Sequence, residues 1–239
     1  MTHSVRAVLF DLDGTLIDSA PDLAGAGNDM RGARGLPLLP LAHFRPMVGS
    51  GARGMVGRAL QVQPGDTDFE ALRDEFLQRY EARMTRETRL FEAMQPVLDT
   101  LHRQAMPWGI VTNKATRFSE PLVRALGLID AAATLVCGDT TPHAKPHPAP
   151  LLEAARRIGI DGEGEVLAGA RVDDEAEGAP AGQRHAALVE LAADPSWAEH
   201  DEGRACYSAL ELRWRREQQG FDVLRDFTTY WNAQWQLNF

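Results

Sequence analysis

Short apolar runs that end in polar residues alternate along the chain with longer stretches of helical periodicity. Four such runs, each of four or five residues, are predicted to be buried strands, at 6–10, 108–112, 133–137 and 165–168. The stretches with a helical period fall at 19–30, 69–84, 97–104, 118–126 and 150–158. Because strands and helices alternate, we expect an α/β fold with a parallel sheet and right-handed crossovers.

The stretch from about 20 to 90 lies between the first two predicted strands. It is too long for a single crossover connection, so the pattern predicts an inserted helical cap. We expect the core to comprise residues 1–18 and 92–239 and the cap residues 19–91. Within the cap, the apolar positions 69, 72, 76, 77 and 80 form a helical stripe, which we interpret as packing.

Composition and charge narrow the class of protein. The chain has 239 residues, of which 44% are hydrophobic, so a packed core is expected. No apolar run is long enough to cross a bilayer, and the first ten residues do not resemble a secretory signal. Cys137 and Cys206 form neither a metal-binding spacing nor a disulfide framework, which favours a cytoplasmic protein. The net charge of −9 argues against a nucleic-acid partner.

Polar side chains follow each of the four predicted strands. In an open parallel sheet, ligands bind beyond the carboxyl ends of the strands, so we expect these side chains to meet at one edge. They are, in strand order, Asp11 and Asp13; Thr112, Asn113 and Lys114; Lys145; and Asp173 and Asp174. Carboxylates, a hydroxyl and an amine suit the binding of Mg²⁺ and a phosphate group.

Lysine is rare in this chain. Of 25 basic residues, Lys114 and Lys145 alone are lysines. Because the two cationic side chains are not interchangeable, an amine is a candidate requirement at these positions, although a general bias toward arginine also explains the pattern. For Lys114, a role as a plain surface residue is an equal alternative. His143 and His147 flank Lys145, and we interpret them as part of a solvated loop, because no third soft metal ligand is in view.

Several segments of the chain resemble motifs of the haloacid dehalogenase-like phosphatases. They are FDLDGTLIDS at 10–19, VTNK at 111–114 and the Lys-Pro pair at 145–146. RGLP at 34–37, GSGARGMV at 49–56 and GIVTNKATRF at 109–118 are similar to the phosphoglycolate phosphatase group and to the related N-acetylmuramic acid 6-phosphate phosphatases. The resemblance implies a Rossmann-like parallel sheet core with an inserted helical cap.

The resemblance also implies roles for the residues that match its motifs. Asp11 would be the nucleophile that forms an aspartyl-phosphate, and Asp13 would protonate the leaving alcohol and then activate water. Thr112 would donate a hydrogen bond to a phosphoryl oxygen, and Asn113 would position Asp13 or the substrate. Lys145 would neutralise charge between Asp11 and the phosphate.

By the same resemblance, Mg²⁺ would bind to Asp11, to the backbone carbonyl of Asp13 and to an acid after the fourth strand, Asp173 or Asp174. Arg53 lies in what we predict to be a glycine-rich loop of the cap. It would meet an anionic group of the substrate, with plain surface charge as the alternative.

The fourth motif departs from the pattern that it resembles. The family has glycine, aspartate and a second aspartate four residues later, whereas this chain has Ala170 at the first aspartate and Asp174 at the second. Loss of a carboxylate should weaken Mg²⁺ binding. Beyond residue 182 the resemblance fades. Three explanations stay open: Asp173 or Asp174 replaces the lost ligand, the chain has lost catalysis, or its C-terminal third has been altered, for example by a change of reading frame.

We therefore expect an Mg²⁺-dependent phosphomonoester hydrolase that acts on a small phosphorylated metabolite. 2-Phosphoglycolate is the first expectation for the substrate, and N-acetylmuramic acid 6-phosphate or another sugar phosphate is the second. The alternative is a catalytically impaired phosphate-binding protein, which Ala170 would explain. We expect a monomer or a homodimer, with no nucleic-acid or membrane partner.

Overall fold

The computed structural model describes residues 5–145, 147, 149–159, 165–170 and 187–188. The strands are β1 (Val5–Phe10), β2 (Ile17–Asp18), β3 (Arg89–Leu90), β4 (Trp108–Val111), β5 (Thr134–Val136), β6 (Glu165–Ala170) and β7 (Ala187–Leu188). The helices are α1 (Ala20–Ala33), α2 (Leu41–Phe44), α3 (Gly51–Leu60), α4 (Phe69–Glu81), α5 (Met94–Arg103), α6 (Thr116–Ala125) and α7 (Ala149–Ile158), with a 3₁₀ helix at Arg45–Ser50.

The four predicted strands and β7 form one sheet in the order β5-β4-β1-β6-β7. β1 lies between β4 and β6 and is parallel to both, with Phe10 opposite Ile110 on one side and Gly169 on the other. β5 extends the parallel arrangement beyond β4, and β7 pairs antiparallel with β6. The predicted α/β class is therefore confirmed.

The sheet is buried on both faces because successive side chains of a strand point to opposite sides. Val8 and Phe10 of β1 pack in one apolar cluster with α5 and α6. Ala7 and Leu9 of the same strand pack in a second cluster with α7. Residues 7–10 of β1 are all apolar, as a parallel sheet buried on both faces requires, and the strand ends just before the polar Asp11.

Helices α1 to α4 form an apolar cluster of their own, which also receives Phe118 of α6. The stripe on α4 packs as interpreted: residues 69, 76 and 80 are buried, and residues 72 and 77 pack against the cluster. The division of the chain into core and cap at residues 18 and 92 stays a prediction. Within the described residues, no helix combines the length and the hydropathy that a membrane-spanning helix needs.

The predicted loop at 49–56 is wrong. The 3₁₀ helix continues at Gly51 into α3, so Arg53 lies in the first turn of a helix. The buried residues Met55, Val56 and Ala59 explain the helix, because they line the side of α3 that packs in the helical cluster. Glycines at the start of this segment hid that pattern in the sequence.

A second, two-stranded sheet joins the two ends of the helical segment, and the sequence did not predict it. β2 and β3 are antiparallel, with Ile17 opposite Leu90 and Asp18 opposite Arg89. Arg45 donates two hydrogen bonds to the carboxylate of Asp18, at 3.0 and 2.9 Å. The chain thus leaves the large sheet and returns to it at one place.

Candidate active site at the carboxyl edge of the sheet

A tight turn follows β1 and carries both aspartates. The carbonyl of Leu12 accepts hydrogen bonds from the N–H groups of Thr15, Leu16 and Ile17 at 3.0 to 3.3 Å. Gly14 has a φ of +74°, which favours glycine at this position of the turn. The turn leaves Asp11 at the strand end and Asp13 two residues beyond it, each with a lysine as a charge partner.

The carboxylate of Asp11 pairs with Lys145. The two atoms, Asp11 Oδ1 and Lys145 Nζ, are 2.9 Å apart, and the same ammonium donates a hydrogen bond to the carbonyl of Val111 at 2.7 Å. Asp11 Oδ1 also accepts a hydrogen bond from the N–H of Leu12 at 2.8 Å. Both of these contacts use Oδ1, so they orient the carboxylate without occupying Oδ2.

Asn113 fixes the backbone of Lys145. Its side-chain oxygen accepts a hydrogen bond from the Lys145 N–H, and its side-chain nitrogen donates one to the Lys145 carbonyl, both at 2.8 Å. The sequence predicted that Asn113 positions Asp13 or the substrate. In the structure its amide is paired with the backbone of the lysine, because the loop after β5 runs alongside the loop after β4, and the role toward Asp13 or the substrate stays a prediction.

Asp13 pairs with the second lysine of the chain, Lys114. Asp13 Oδ1 lies 3.1 Å from Lys114 Nζ and accepts a hydrogen bond from the Ser19 hydroxyl at 2.5 Å. The ammonium also donates a hydrogen bond to the hydroxyl of Tyr80 at 3.1 Å and lies 4.6 Å from the centre of that ring. With only 10% of its side chain exposed, Lys114 is not a plain surface residue.

The charge of Lys114 is stabilised where it lies. Burial lowers the pKa of this ammonium, but attraction to Asp13 and the contact with Tyr80 outweigh burial, so its pKa lies above the ordinary value. A lysine that stays protonated is a permanent cation beside Asp13.

Thr112 directly follows β4, two residues before Lys114. It is buried, and its N–H donates a hydrogen bond to the carbonyl of Val136 at 2.9 Å. Its hydroxyl oxygen accepts a hydrogen bond from the N–H of Lys114 at 3.2 Å. The hydroxyl hydrogen is thereby left as a donor, as the predicted contact to a phosphoryl oxygen needs.

The structure does not bring the other predicted residues into contact with the two lysine–aspartate pairs within the part of the chain that it describes. Arg53 is an exposed residue of α3, and among the described residues no hydrogen bond or ion pair joins it to the two lysine–aspartate pairs. Asp173 and Asp174 lie outside the described residues, as does the chain beyond residue 182 except for residues 187–188. The rings of His143 and His147 stack at 4.3 Å.

The described residues do not complete a magnesium site. They offer the carboxylate of Asp11 and the backbone oxygen of Asp13, and across the described ranges no three His, Cys, Asp or Glu side chains group together. Phe10 is opposite Gly169, so Ala170, the last residue of β6, lies at the level of Asp11, which follows β1. Alanine supplies no oxygen from its side chain, whereas Mg²⁺ requires a nearly octahedral set of oxygens.

Sequence reasoning missed two contributors to this site, Ser19 and Tyr80, and the charge partner of a third, Lys114. Lys114 carried a usable signal, because it is one of two lysines, but its position did not show its partner. Ser19 is the last residue of the FDLDGTLIDS segment and could have been read from it. Tyr80 gave no signal of its own, because it occupies one position of an apolar helical stripe.

The loop after β5 supports the loop that carries Asn113 and Lys114. The N–H of Gly138 donates a hydrogen bond to the Lys114 carbonyl at 3.0 Å. The carboxylate of Asp139 accepts hydrogen bonds from the side chain and the N–H of Thr116, at 2.5 and 2.9 Å, where α6 begins. Both hydrogen bonds lower the pKa of Asp139, and the one from the Thr116 side chain has the larger effect.

Gly138→Ala is expected to destabilise the protein by about 1–3 kcal/mol and to displace the site, because overpacking forces the backbone to move. A Cβ at this position would lie 2.2 Å from the carbonyl oxygen of Asn113. Chemical denaturation and the rate of phosphate ester hydrolysis measure the two effects. Gly32→Ala is the control, because its Cβ would meet no atom within 4 Å and alanine favours the helix. A Gly138→Ala protein as stable as the control would contradict the close approach.

Comparison with known proteins agrees with the family resemblance of the sequence motifs. The family model described as haloacid dehalogenase-like hydrolase matches residues 5–185. The match ends close to residue 182, beyond which the sequence resemblance fades.

Two named relatives and one solved structure illustrate the similarity. The N-acetylmuramic acid 6-phosphate phosphatase of Pseudomonas putida is 40% identical over 184 residues, which cover 77% of this chain and 82% of that protein. The phosphoglycolate phosphatase of Xanthomonas campestris pv. campestris is 45% identical over 170 residues, 71% of this chain and 75% of that protein. The crystal structure of a predicted phosphoglycolate phosphatase from Haemophilus somnus superposes with a TM-score of 0.56 at 28% identity, covering 65% of this chain and 72% of that chain.

Proposed function

The chain belongs to the haloacid dehalogenase-like hydrolases, and from that premise we propose that it hydrolyses phosphate monoesters of small metabolites through an aspartyl-phosphate. One observation carries the proposal: Asp11, at the end of a buried central strand, has Lys145 Nζ 2.9 Å from one carboxylate oxygen, and its other oxygen is the one that we assign to the reaction. A carboxylate oriented by a cation is suited to attack an anionic phosphorus centre.

In the first step, Oδ2 of Asp11 attacks phosphorus, and the bond between phosphorus and the ester oxygen breaks. Asp13 gives its proton to the departing alkoxide, which leaves as the alcohol. Lys145 faces the negative charge that the phosphoryl oxygens bring to Asp11, and the Thr112 hydroxyl donates a hydrogen bond to one of them.

In the second step, a water molecule attacks the phosphorus of the aspartyl-phosphate. Asp13, now a carboxylate, accepts the proton of that water, and the bond between phosphorus and Asp11 breaks. Inorganic phosphate leaves, and both aspartates return to their starting states. Asp13 Oδ1 is held by Ser19 and Lys114, so we assign the proton transfers to its Oδ2.

We propose 2-phosphoglycolate as the first candidate substrate and N-acetylmuramic acid 6-phosphate, or another sugar phosphate, as the second. The relatives named for these two activities are 45% and 40% identical to the chain. Both compounds carry a carboxylate in addition to the phosphate. Arg53, exposed on α3, is the residue that we propose for this second anionic group.

Dependence on Mg²⁺ is part of the proposal, in which Asp173 or Asp174 provides the carboxylate ligand that the described residues lack. When bound, the ion would offset the charge of the phosphoryl group near Asp11. The alternative proposal is a phosphate-binding protein without turnover, and Ala170 is the observation that favours it. A cytoplasmic location and a monomeric or homodimeric state also remain predictions.

The experiment that tests the function measures phosphate release from 2-phosphoglycolate, N-acetylmuramic acid 6-phosphate and p-nitrophenyl phosphate. Each ester is assayed with excess Mg²⁺ and with a chelator, for the natural chain and for Ala170→Asp. Turnover by the natural chain that requires Mg²⁺ supports the enzyme and a substitute ligand. Turnover by Ala170→Asp alone identifies Ala170 as the lesion. Stoichiometric binding of phosphate with no turnover by either protein would contradict the proposed enzyme and support the alternative, a phosphate-binding protein.

A further inference from the structure

The hydroxyl of Tyr80 is connected to Asp13 through a single side chain. Tyr80 lies near the end of α4 and is 1% exposed. Its oxygen accepts a hydrogen bond from Lys114 Nζ at 3.1 Å, and the same Nζ lies 3.1 Å from Asp13 Oδ1. The ammonium is therefore held from two sides, one on the helical segment and one on the turn after β1.

Packing alone does not explain a tyrosine at this position. Its ring is stacked on Phe76 at 6.4 Å and tilted against Phe118 at 5.7 Å, in a cluster of apolar side chains. A phenylalanine would satisfy such neighbours without bringing a polar atom into the interior. A buried hydroxyl needs a partner, and the described partner of this one is Lys114.

The partners fix the direction of this hydrogen bond. Burial raises the pKa of the Tyr80 hydroxyl, which therefore keeps its proton at neutral pH. A neutral hydroxyl oxygen accepts from the ammonium, and the rings of Phe76 and Phe118 hold the oxygen in place. Lys114 consequently has a fixed acceptor opposite Asp13.

We propose that Tyr80 is a positioning residue for proton transfer by Asp13 and that it acts through Lys114. The inference rests on the proposed function, since it assigns to Asp13 the proton given to the leaving group. With its ammonium held by Tyr80, Lys114 keeps Oδ1 of Asp13 in one orientation and leaves Oδ2 directed to the reaction. Without the hydroxyl, Lys114 loses one of its two fixed contacts, and the carboxylate loses a fixed partner.

The test uses two aryl esters that differ in how much they need a proton. Phenyl phosphate releases a more basic oxygen than p-nitrophenyl phosphate, so its hydrolysis depends more on a general acid. Tyr80→Phe keeps the ring and removes the hydrogen bond. We expect kcat/KM to fall roughly tenfold for phenyl phosphate and less than about threefold for p-nitrophenyl phosphate. An equal loss for both esters, or none, would overturn the positioning role while the proposed function stands.

Two further variants separate positioning from packing. Phe69→Leu removes a ring from the same apolar cluster at the opposite end of α4 from Tyr80, so it should change both esters by the same factor. Lys114→Met should show the unequal loss at least as strongly as Tyr80→Phe. The double variant Tyr80→Phe/Lys114→Met should be no worse than Lys114→Met alone, because both changes break one chain of contacts. Additive losses would contradict the inference.

A second measurement does not depend on turnover. The chain has two lysines, so isotope-labelled lysine gives two sets of side-chain signals in an NMR spectrum, assigned with Lys145→Met. At a fixed pH, Tyr80→Phe should move the Lys114 signals and leave those of Lys145 in place. Unmoved Lys114 signals would overturn the contact itself. If the natural chain hydrolyses no ester, the proposed function and the positioning role both fail, whatever the spectrum shows.

Discussion

Asp11→Asn is expected to reduce hydrolysis of phosphate esters by roughly 10⁴-fold or more, because the variant lacks the nucleophile. An amide has nearly the shape of a carboxylate, and its oxygen still accepts hydrogen bonds from Lys145 and from the N–H of Leu12. The fold should therefore survive. Phosphate release measures the rate, and circular dichroism with denaturant unfolding measures the fold.

A matched control and a chemical trap make this expectation sharper. Asp99→Asn makes the same exchange at an exposed position of α5, where Asp99 accepts a hydrogen bond from Gln95, and it should leave the rate nearly unchanged. Acid quenching during turnover should trap a phosphorylated protein with the natural chain and none with Asp11→Asn. Retained turnover by the folded variant would refute Asp11 as the nucleophile.

Lys145→Met is expected to lower kcat/KM by roughly 10²- to 10³-fold, because it removes a fixed cation from the place where phosphoryl charge develops. The carbonyl of Val111 loses a hydrogen-bond donor at the same time, so a modest loss of stability should accompany it. Inorganic phosphate should inhibit the variant much more weakly than the natural chain, which separates lost anion binding from a misplaced nucleophile.

Lys145→Arg is the informative companion, since it keeps the charge and changes its shape. The ammonium makes contacts to both Asp11 and Val111 at 2.9 and 2.7 Å, and a planar guanidinium is too large for the same position. Partial recovery at most is expected. Full activity of either variant would show that charge at this position does not support the reaction.

The sheet was predictable because the central positions of its main strands are apolar. β1, β4, β5 and β6 each stand out as a short run with a polar end, and parallel order follows from the helices between them. The same polar ends located Asp11, Asp13, Thr112 and Lys145 at one edge. The periodicity of apolar residues and the polar residues that end a strand are local signals, so both can be read from a single sequence.

The remaining features depend on contacts between distant residues. β2 and β3 have two residues each, too few for any periodicity, and exist because their neighbours bring them together. α3 was mistaken for a loop because three glycines obscured the apolar positions that pack it. The partners of Lys114 and Asn113 could not be deduced, since a side chain's identity does not indicate which loop comes to lie beside it.

The pairing of β2 with β3 has a consequence for how this protein could change over generations. Asp18 and Arg89 lie opposite each other, so the segment of residues 19–88 begins and ends at neighbouring points of the structure. Such a segment tolerates replacement by a shorter or longer one, while the strands that carry Asp11 and Thr112 keep their places. One contiguous piece of gene thus encodes this whole segment, including Arg53, the residue proposed for the second anionic group of the substrate. Any replacement segment would have to provide a buried hydrogen-bond acceptor for the ammonium of Lys114, as Tyr80 does here.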